Sequence, residues 1–260
     1  MLETDDLLVD LREDGTLWLT FNRPDAFNAF SPELSVALAE RLEDAATRDD
    51  VRVVVLTGTG AAFSAGADIS GANAHERFDV RALDAANRII RAVTGCPKPV
   101  VAAVNGVAAG VGCSTALAAD LVVAAESASF LLAFARIGLM PDGGTSATVA
   151  ASIGRTRAMR MALLAEPLTG REAYDTGLVS HVAVDDEFPG LVDKIVGRLA
   201  KGAPLGQAAT KRAVNAATLD LLEPALERER TGQTILLRTD DAAEGMRAFS
   251  ERRRPGFRGS

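Results

Sequence analysis

The sequence centres on one run, Val53-Val54-Val55-Leu56-Thr57-Gly58-Thr59-Gly60-Ala61-Ala62-Phe63-Ser64-Ala65-Gly66-Ala67-Asp68-Ile69. It opens with an unbroken apolar segment, which is typical of a strand covered on both faces in an α/β sheet. The small residues that follow allow backbone N–H groups to come close to a ligand, because little side chain stands in the way. The run therefore predicts a buried strand that leads into a binding turn.

A glycine-rich turn after a strand first indicates a dinucleotide-binding fold, which requires Gly-x-Gly-x-x-Gly opening into a helix. Gly58 and Gly60 supply the first two positions, but Phe63 occupies the third. No acidic residue follows a second buried strand at the distance where it would hold the ribose. These departures disfavour a nicotinamide or flavin enzyme. Absorbance of a bound nicotinamide or flavin in the purified protein would restore that hypothesis. Ser64 lies outside Gly-x-Ser-x-Gly, which disfavours a catalytic triad.

The bulk composition excludes several classes of function. A formal charge of −7 over 260 residues argues against general attraction to nucleic acid or anionic membranes. Only two cysteines and two histidines are present, so the chain offers no disulfide framework and no histidine-rich metal site. The acidic start lacks the pattern of a signal peptide, and no apolar run reaches the length of a membrane span. We expect a cytoplasmic protein.

Strand and helix signals alternate through the first half of the chain. Serine followed by proline at positions 31 and 32 predicts a helix start, with serine as the cap. Residues 71–84 are polar and weakly patterned, which predicts a mobile loop or frayed helix that forms part of the acyl pocket wall. Strands are predicted at 7–11, 16–21, 51–56, 100–104 and 121–125, and helices at 88–93 and 108–119.

The final third of the chain is mainly helical. No long repeat, low-complexity tract or clear interdomain linker interrupts it. The pattern therefore predicts an α/β core with a helical C-terminal extension. Helices are predicted at 146–153, 155–164, 171–176, 187–200, 205–217, 219–237 and 242–252.

A series of short motifs resembles those of the crotonase superfamily, the enoyl-CoA hydratase/isomerase family. Each motif is moderately specific, and together they are highly specific because they follow the family's order over nearly the whole chain. They are Asn22-Arg23-Pro24, Asn28-Ala29, Phe63-Ser64-Ala65-Gly66-Ala67-Asp68-Ile69, residues 97–106, Ala119-Asp120, Gly138-Leu139-Met140-Pro141, Gly144-Thr145, residues 173–179 and the tail 249–259.

This resemblance implies an α/β fold, a crotonase-like spiral of strand-strand-helix units with C-terminal helices that build trimers, often paired into hexamers. Residues 1–197 would form the acyl-CoA-binding core, and residues 198–260 the helical oligomerisation region. The implied substrate is an acyl-CoA thioester, so coenzyme A enters as part of the substrate, with no separate cofactor and no metal. The implied partners are further copies of the chain, without nucleic acid or membrane.

The family polarises the thioester with two backbone N–H groups, which hold its oxygen as an enolate forms. The matching positions here are Ala67 and Val111. The second usually belongs to a glycine in a Gly-Gly-Gly run, which reads Gly110-Val111-Gly112 in this chain. A valine keeps its N–H, but a φ above zero would be costly for a β-branched residue.

The largest departure from the family concerns the acid and the base. A typical hydratase carries two glutamates, and the matching residues here are Ser114 and Phe134. Serine is too weak an acid to substitute unaided, and phenylalanine cannot move a proton. Both are expected to pack rather than to catalyse, with Phe134 shaping the acyl pocket. Ordinary two-glutamate hydration is therefore disfavoured.

Asp142 is the remaining candidate for proton transfer. The run from Phe134 to Gly144 resembles family members that shift the double bond of an enoyl-CoA, in which this aspartate is catalytic. One carboxylate can take a proton from C2 and return it to C4 while the oxyanion hole holds the dienolate. Apolar surroundings would have to raise the pKa of Asp142 for the return step. The same Pro-Asp-Gly sequence is also a good turn, so a purely structural role stays open.

The remaining site residues follow from the resemblance as contacts to substrate or coenzyme A: Arg23, Ala26, Ala65, Ala67, Asp68, Ile69, Ser114 and Phe134. For Arg23 a structural ion pair is an equal alternative, and for Asp68 the alternative is a role within its own loop. For the whole chain, isomerisation of an enoyl-CoA is favoured over hydration. An atypical hydratase and a non-catalytic acyl-CoA-binding protein stay open as alternatives.

Overall fold

A computed structural model describes residues 4–69 and 74–260. The strands are β1 Leu7–Leu11, β2 Thr16–Phe21, β3 Val53–Gly58, β4 Ala62–Ser64, β5 Val100–Val104, β6 Val107–Ala109, β7 Leu121–Ala125, β8 Ser129–Leu131, β9 Leu168–Thr169 and β10 His181–Ala183. The helices are α1 Pro32–Thr47, α2 Ala74–Arg77, α3 Val80–Gly95, α4 Gly110–Leu117, α5 Thr145–Leu164, α6 Gly170–Thr176, α7 Phe188–Ala200, α8 Pro204–Thr218, α9 Leu222–Leu236 and α10 Asp240–Ser250. Short 3-10 helices lie at Pro24–Ala26 and Ala133–Ile137.

The larger sheet has six strands in the order β1-β2-β3-β5-β7-β10. Only the β1–β2 pair is antiparallel among these described strands, and the other neighbours run parallel. One row across the sheet joins Leu19, Leu56, Ala102 and Val122, all of which are buried. Consecutive residues within β3, β5 and β7 are also buried, so both faces of the sheet are covered, which accounts for the continuous apolar runs that predicted these strands.

The smaller sheet has four strands in the order β4-β6-β8-β9. Its first three strands are the second members of successive pairs, β3–β4, β5–β6 and β7–β8, whose first members lie side by side in the larger sheet. The chain thus adds one strand to each sheet with every turn, and a helix follows β4 and β6. These are the expected strand-strand-helix units. The strands of the smaller sheet span only two or three residues each, so the sequence pattern did not reveal them.

The first helix begins where the sequence predicted it. The Ser31 side chain accepts a hydrogen bond from the Leu34 N–H (3.0 Å), and Pro32 occupies the first turn. This cap satisfies one of the N–H groups that have no acceptor inside the helix.

Two predicted helices begin elsewhere. The helix predicted at 88–93 is α3 and begins at Val80, because the Asp79 side chain accepts from the Arg81 N–H and caps it. The loop predicted at 71–84 thus contains α2 and the start of α3, and its residues 71–73 lie outside the described residues. The helix predicted at 108–119 is the strand β6 followed by α4, since Gly110 turns the chain with φ 51°.

The C-terminal third is helical, as predicted. The break expected between two helices near residue 154 is present as a non-helical Gly154 inside α5 (φ 77°, ψ 160°). The boundary predicted at residues 197 and 198 falls within α7, and the division into a core and an oligomerisation region stays a prediction. No helix in residues 4–69 and 74–260 combines the length and the apolar character needed to cross a bilayer.

Candidate active site

The turn after β4 leaves one backbone N–H group without an acceptor. Phe30 and Ala67 form an isolated parallel bridge, in which the Phe30 N–H donates to the Gly66 carbonyl oxygen (2.7 Å) and the Asp68 N–H donates to the Phe30 carbonyl oxygen (3.1 Å). The Ala67 N–H lies between these bonds and meets no acceptor in the described part of the chain. Gly66 sits at φ 94°, a conformation that favours glycine, so it turns the chain at this point.

The second backbone N–H group lies in the first turn of α4. Val111 has no carbonyl one helical turn before it within the helix, so its N–H lacks an intrahelical partner. No other acceptor for it occurs within residues 4–69 and 74–260. The positive φ falls on Gly110 and not on Val111. The β-branched residue is therefore free of that strain.

The two segments that carry these N–H groups are in backbone contact. A Cβ added to Gly66 would lie 2.8 Å from the Ala109 carbonyl oxygen and 3.4 Å from the Gly110 Cα atom. A Cβ added to Gly112 would lie 2.7 Å from Ser64. Only glycine permits this approach, so the small residues of both motifs bring the turn after β4 against the start of α4.

A loop between the 3-10 helix at Ala133–Ile137 and α5 carries Asp142 to this same helix. The Ser114 hydroxyl donates to the Asp142 carbonyl oxygen (2.9 Å), and the Thr145 hydroxyl donates to the same oxygen (3.0 Å). Gly143 and Gly144 follow at φ 65° and 76°. The side chains of α4 and α5 thus fix the backbone of Asp142 beside the helix that bears Val111.

The Asp142 carboxyl group is buried and only half satisfied. Its Oδ2 accepts from the Gln233 Nε2 (3.0 Å), whereas its Oδ1 is buried without a hydrogen-bond partner in the described structure. Removal from water raises the pKa of Asp142 to about 7; the Gln233 hydrogen bond opposes this rise and the Glu229 charge adds to it. A carboxyl group with this pKa is suited to both accepting and returning a proton near neutral pH.

Sequence reasoning missed Gln233 and Glu229, which approach Asp142 from α9. Both side chains are almost fully buried. They lie one helical turn apart and share the inward face of α9 with Leu222 and Leu226. Two polar residues on an otherwise apolar helix face were the signal that could have found them, because buried polar groups require partners.

The residues at the two hydratase positions have structural contacts. Ser114 is fully buried in α4, and its hydroxyl donates to backbone oxygens of Gly110 and Asp142. Phe134 is buried within the hydrophobic core. Contact of either residue with a substrate stays a prediction.

Arg23 lies in an ion-pair cluster. Its guanidinium contacts the carboxylates of Asp6 (3.3 Å) and Asp68 (3.0 Å) and donates to the Ala29 carbonyl oxygen (2.6 Å). The structural ion pair considered for Arg23 is therefore present, and Asp68 is one of the partners of Arg23. A contact of either residue with coenzyme A stays a prediction.

The other expected binding residues lie in the segments that frame the turn after β4. Ala26 ends the first 3-10 helix. Ala65 is exposed and its N–H donates to the Phe27 carbonyl oxygen, while the Ile69 N–H donates to the Ala67 carbonyl oxygen. Ala65, Ala67 and Ile69 thus lie in the turn after β4. Their contacts with a ligand stay predictions.

The arrangement can perform one kind of chemistry. Two unpaired N–H groups in adjacent segments can hold an oxygen as it gains negative charge, and the start of α4 adds the positive end of a helix dipole. A carboxyl group of raised pKa is tethered to the same helix. The geometry therefore suits proton transfer next to a polarised carbonyl group.

The chain is similar to known proteins over nearly its whole length. A family model described as enoyl-CoA hydratase/isomerase matches residues 12–260. A 1,2-epoxyphenylacetyl-CoA isomerase of Escherichia coli is 36% identical over 252 residues, covering 95% of this chain and 96% of the relative. A probable enoyl-CoA hydratase of Rhodobacter capsulatus is 39% identical over 248 residues, covering 95% of each chain.

Solved structures show the same likeness. The crystal structure of an enoyl-CoA hydratase from Mycobacterium avium subsp. paratuberculosis superposes with a TM-score of 0.93 at 48% identity. The match covers 98% of this chain and 100% of that one.

Proposed function

The chain belongs to the enoyl-CoA hydratase/isomerase family, and from that premise we propose that it moves the double bond of an enoyl-CoA thioester. The Ala67 and Val111 N–H groups hold the thioester oxygen, and Asp142 carries the proton. The single observation that supports this assignment best is the buried, unpartnered Oδ1 of Asp142. No cofactor is needed, because coenzyme A is part of the substrate.

The proposed reaction converts a 3-enoyl-CoA into a 2-enoyl-CoA. The ionised carboxylate of Asp142 removes a proton from C2. The electron pair of that C–H bond passes into a dienolate, whose oxygen accepts hydrogen bonds from both N–H groups. The protonated Asp142 then returns the proton to C4. A double bond between C3 and C4 is lost and one between C2 and C3 is formed, with atoms and electrons conserved.

Hydration is less well supported than isomerisation. It requires a second group to activate and position water, and the two family positions for that task hold Ser114 and Phe134. The Ser114 hydroxyl donates to carbonyl oxygens, and Phe134 has no proton to transfer. One carboxyl group next to an oxyanion hole is sufficient for a proton shift but not for the two-glutamate route.

The test uses 3-enoyl-CoA and 2-enoyl-CoA with the wild-type protein and Asp142→Asn. We expect turnover of the 3-enoyl substrate, and we expect the variant to lose at least a hundredfold in kcat, since general acid–base catalysis contributes roughly 10²–10⁴-fold. Asp186→Asn changes an exposed carboxylate to the same amide and is the matched control.

Three outcomes would contradict the proposal. Turnover that is unchanged in Asp142→Asn would remove Asp142 from the mechanism. Addition of water to 2-enoyl-CoA without isomerisation would identify an atypical hydratase. Binding of both thioesters without turnover would identify a non-catalytic acyl-CoA-binding protein.

The expected assembly is a homotrimer or a pair of trimers. Large apolar side chains on the C-terminal half of the chain are exposed in the isolated protomer, which supports burial against further copies. They include Leu163, Leu164, Leu205, Leu221 and Ile235. Sedimentation velocity should give three or six times the mass of the chain, and a monomer would contradict this part of the proposal.

A further inference from the structure

We propose that Gln233 and Glu229, both on α9, are positioning residues for Asp142: Gln233 anchors one oxygen of its carboxyl group, and Glu229 holds the backbone that follows it and places a second acid nearby. The inference rests on the function proposed above. It concerns side chains that do not touch the reacting atoms and act through Asp142.

Gln233 is held in one orientation by the backbone of Met140. The Met140 N–H donates to its Oε1 (3.1 Å), and its Nε2 donates to the Met140 carbonyl oxygen (2.9 Å). Because a backbone N–H can only donate and a carbonyl oxygen can only accept, this pair fixes which end of the amide is which. The Nε2 that remains directed at Asp142 is therefore a donor, and it stabilises the ionised carboxylate.

The same contact decides which Asp142 oxygen is available. Gln233 occupies Oδ2 and leaves Oδ1 without a partner among the described residues. A carboxyl group anchored at one oxygen and tethered through its backbone by Ser114 has little freedom to rotate. The Gln233 amide therefore directs the free Oδ1 as the proton-carrying atom.

Glu229 acts on Asp142 by charge rather than by contact. Its Oε2 accepts from the Gly144 N–H (2.6 Å), and its Oε1 accepts from the Ser146 N–H (2.9 Å) and from the Ser146 hydroxyl. The N-cap residue of α5 is a glycine without a capping side chain, so Glu229 supplies the cap from α9. Burial raises the pKa of Glu229, and the hydrogen bonds from Ser146 and Gly144 oppose that rise. When it is ionised, its negative charge disfavours ionisation of Asp142.

The other described elements around Asp142 contribute neutral groups. Ile90 of α3 packs against Gly143 and Gly144, Ser114 comes from α4, and Thr145 comes from α5.

Arg228 on α9 acts on Glu229 and opposes the rise in its pKa. Other charged side chains on these elements have partners of their own. Arg136, on the 3-10 helix before the loop, donates to the Ala165 carbonyl oxygen. The exposed ion pairs between α3 and α9 join Asp84 to Arg230 and Arg91 to Glu223. Within the described residues, Glu229 is thus the charge that acts on Asp142.

Two variants should shift the titration of Asp142 in opposite directions. Gln233→Met removes the donor to the ionised form, so the rise of kcat/KM with pH should move to higher pH. Glu229→Gln removes the opposing charge, so the rise should move to lower pH. Gln233→Met should also lower kcat at neutral pH by roughly ten- to a hundredfold with little change in KM, since a misoriented group loses rate rather than binding.

A control separates these effects from general loosening of the fold. Gln207→Met deletes a comparable amide, which donates to the Leu199 carbonyl oxygen on α7, and should leave kcat, KM and the pH profile as in the wild type. A structural effect alone would move both α9 variants in the same direction.

Direct titration of the Asp142 carboxyl carbon by NMR provides a readout that does not depend on turnover. Opposite shifts in the two variants support the inference, even if the protein proves not to isomerise enoyl-CoA. Shifts in the same direction, or no shift in Gln233→Met, overturn it, even if Asp142→Asn abolishes activity. If Glu229→Gln does not fold, Gln233→Met decides alone, because its shift to higher pH is required.

Discussion

The Asp142 side chain places a carboxyl group where water does not reach one of its oxygens. An ionised carboxylate loses much of its hydration there and gains only one hydrogen bond, from Gln233. The neutral form is therefore favoured, and the pKa of Asp142 is raised to about 7. The feature that suits this residue to proton transfer is unfavourable for folding above neutral pH.

We predict that Asp142→Asn is more stable than the wild type at pH 8 and about equally stable at pH 4. The carboxyl group has a raised pKa in the folded state, so its proton stabilises the fold at low pH, and that stabilisation is lost as pH rises from about 4 through about 7. The amide stays neutral throughout. Denaturant unfolding should show a gain of up to about 4 kcal/mol at pH 8, because the pKa rises by about three units and each unit is worth roughly 1.4 kcal/mol.

Two results would contradict this prediction. A variant that is less stable at pH 8 would show that Asp142 is ionised and well satisfied in the folded protein. An equal gain at pH 4 and pH 8 would show that the effect comes from packing and not from the charge.

At the residue scale, the sequence indicated Asp142, Ala67 and Val111 but not what holds them. Their positions follow from local motifs, in which glycines and a proline-containing turn are visible in the chain itself. Gln233 contacts Asp142 across 91 residues of sequence, and no local pattern encodes such a pairing. The strain considered for Val111 also required the structure, since only the backbone shows that Gly110 takes the positive φ.

The start of α4 is the element on which the proposed oxyanion hole depends. Gly112 faces Ser64 at a distance that leaves no room for a side chain. The helix can therefore approach β4 closely enough to bring the Val111 N–H toward the Ala67 N–H. Most residues between 108 and 119 are small, and they permit this close packing.

We predict that Gly112→Ala lowers both stability and turnover. The added Cβ must push α4 away from β4, which separates the two N–H groups. Overpacking of this kind costs about 1–3 kcal/mol of unfolding free energy. Thermal unfolding and kcat/KM with 3-enoyl-CoA measure the two effects.

Gly197→Ala is the matched control for that substitution. Gly197 lies inside α7, and a Cβ there would have no neighbour within 4 Å. Alanine in a helix interior is favoured over glycine by roughly 0.5–1 kcal/mol, so this variant should be slightly more stable with unchanged turnover. A Gly112→Ala protein that behaves like Gly197→Ala would show that α4 does not need its close approach.

At the element scale, long periodic segments were predictable and short ones were not. The predicted crotonase-like spiral of strand-strand-helix units is confirmed by the structure and by its solved relative. The strands of the larger sheet have apolar runs long enough to recognise, whereas two- or three-residue strands such as β8 and β9 carry no periodicity. The start of α3 was missed because its cap, Asp79, lies in a polar stretch without an apolar stripe.

Across the whole molecule, the C-terminal helices are joined to the α/β core by buried polar contacts. Lys211 on α8 reaches into the core with a side chain that is 7% exposed. Its Nζ contacts the Asp120 carboxylate (2.8 Å) and donates to the carbonyl oxygens of Val93 and Lys98. One ammonium group thus ties α8 to the end of α3 and to the start of β7.

We predict that Lys211→Met destabilises the protein by about 3–5 kcal/mol, because it leaves the largely buried Asp120 carboxylate without its cation. Burial already raises the pKa of Asp120, and Lys211 opposes this rise together with the hydrogen bond from the Val100 N–H. Denaturant unfolding at pH 7 measures the loss. Lys201→Met, at an exposed position, is the control and should stay within about 0.5 kcal/mol of the wild type.

A loss as small as that of the control would show that the tether between α8 and the core is dispensable. The division of the chain into residues 1–197 and 198–260 stays a prediction at this scale. The contacts of Lys211 and Gln233 show that the two parts share buried polar groups, so we expect them to unfold together.

The clamp of Gln233 on Asp142 also has a consequence for biosynthesis. The segments that bear Ala67 and Val111 leave the ribosome long before α9, so Asp142 lacks its Gln233 hydrogen bond until nearly the whole chain has been made. A premature stop codon or a protease cut before Gln233 would therefore yield a chain that contains Ala67, Val111 and Asp142 but lacks the anchor of Asp142. An intact C-terminal region is therefore needed to anchor Asp142.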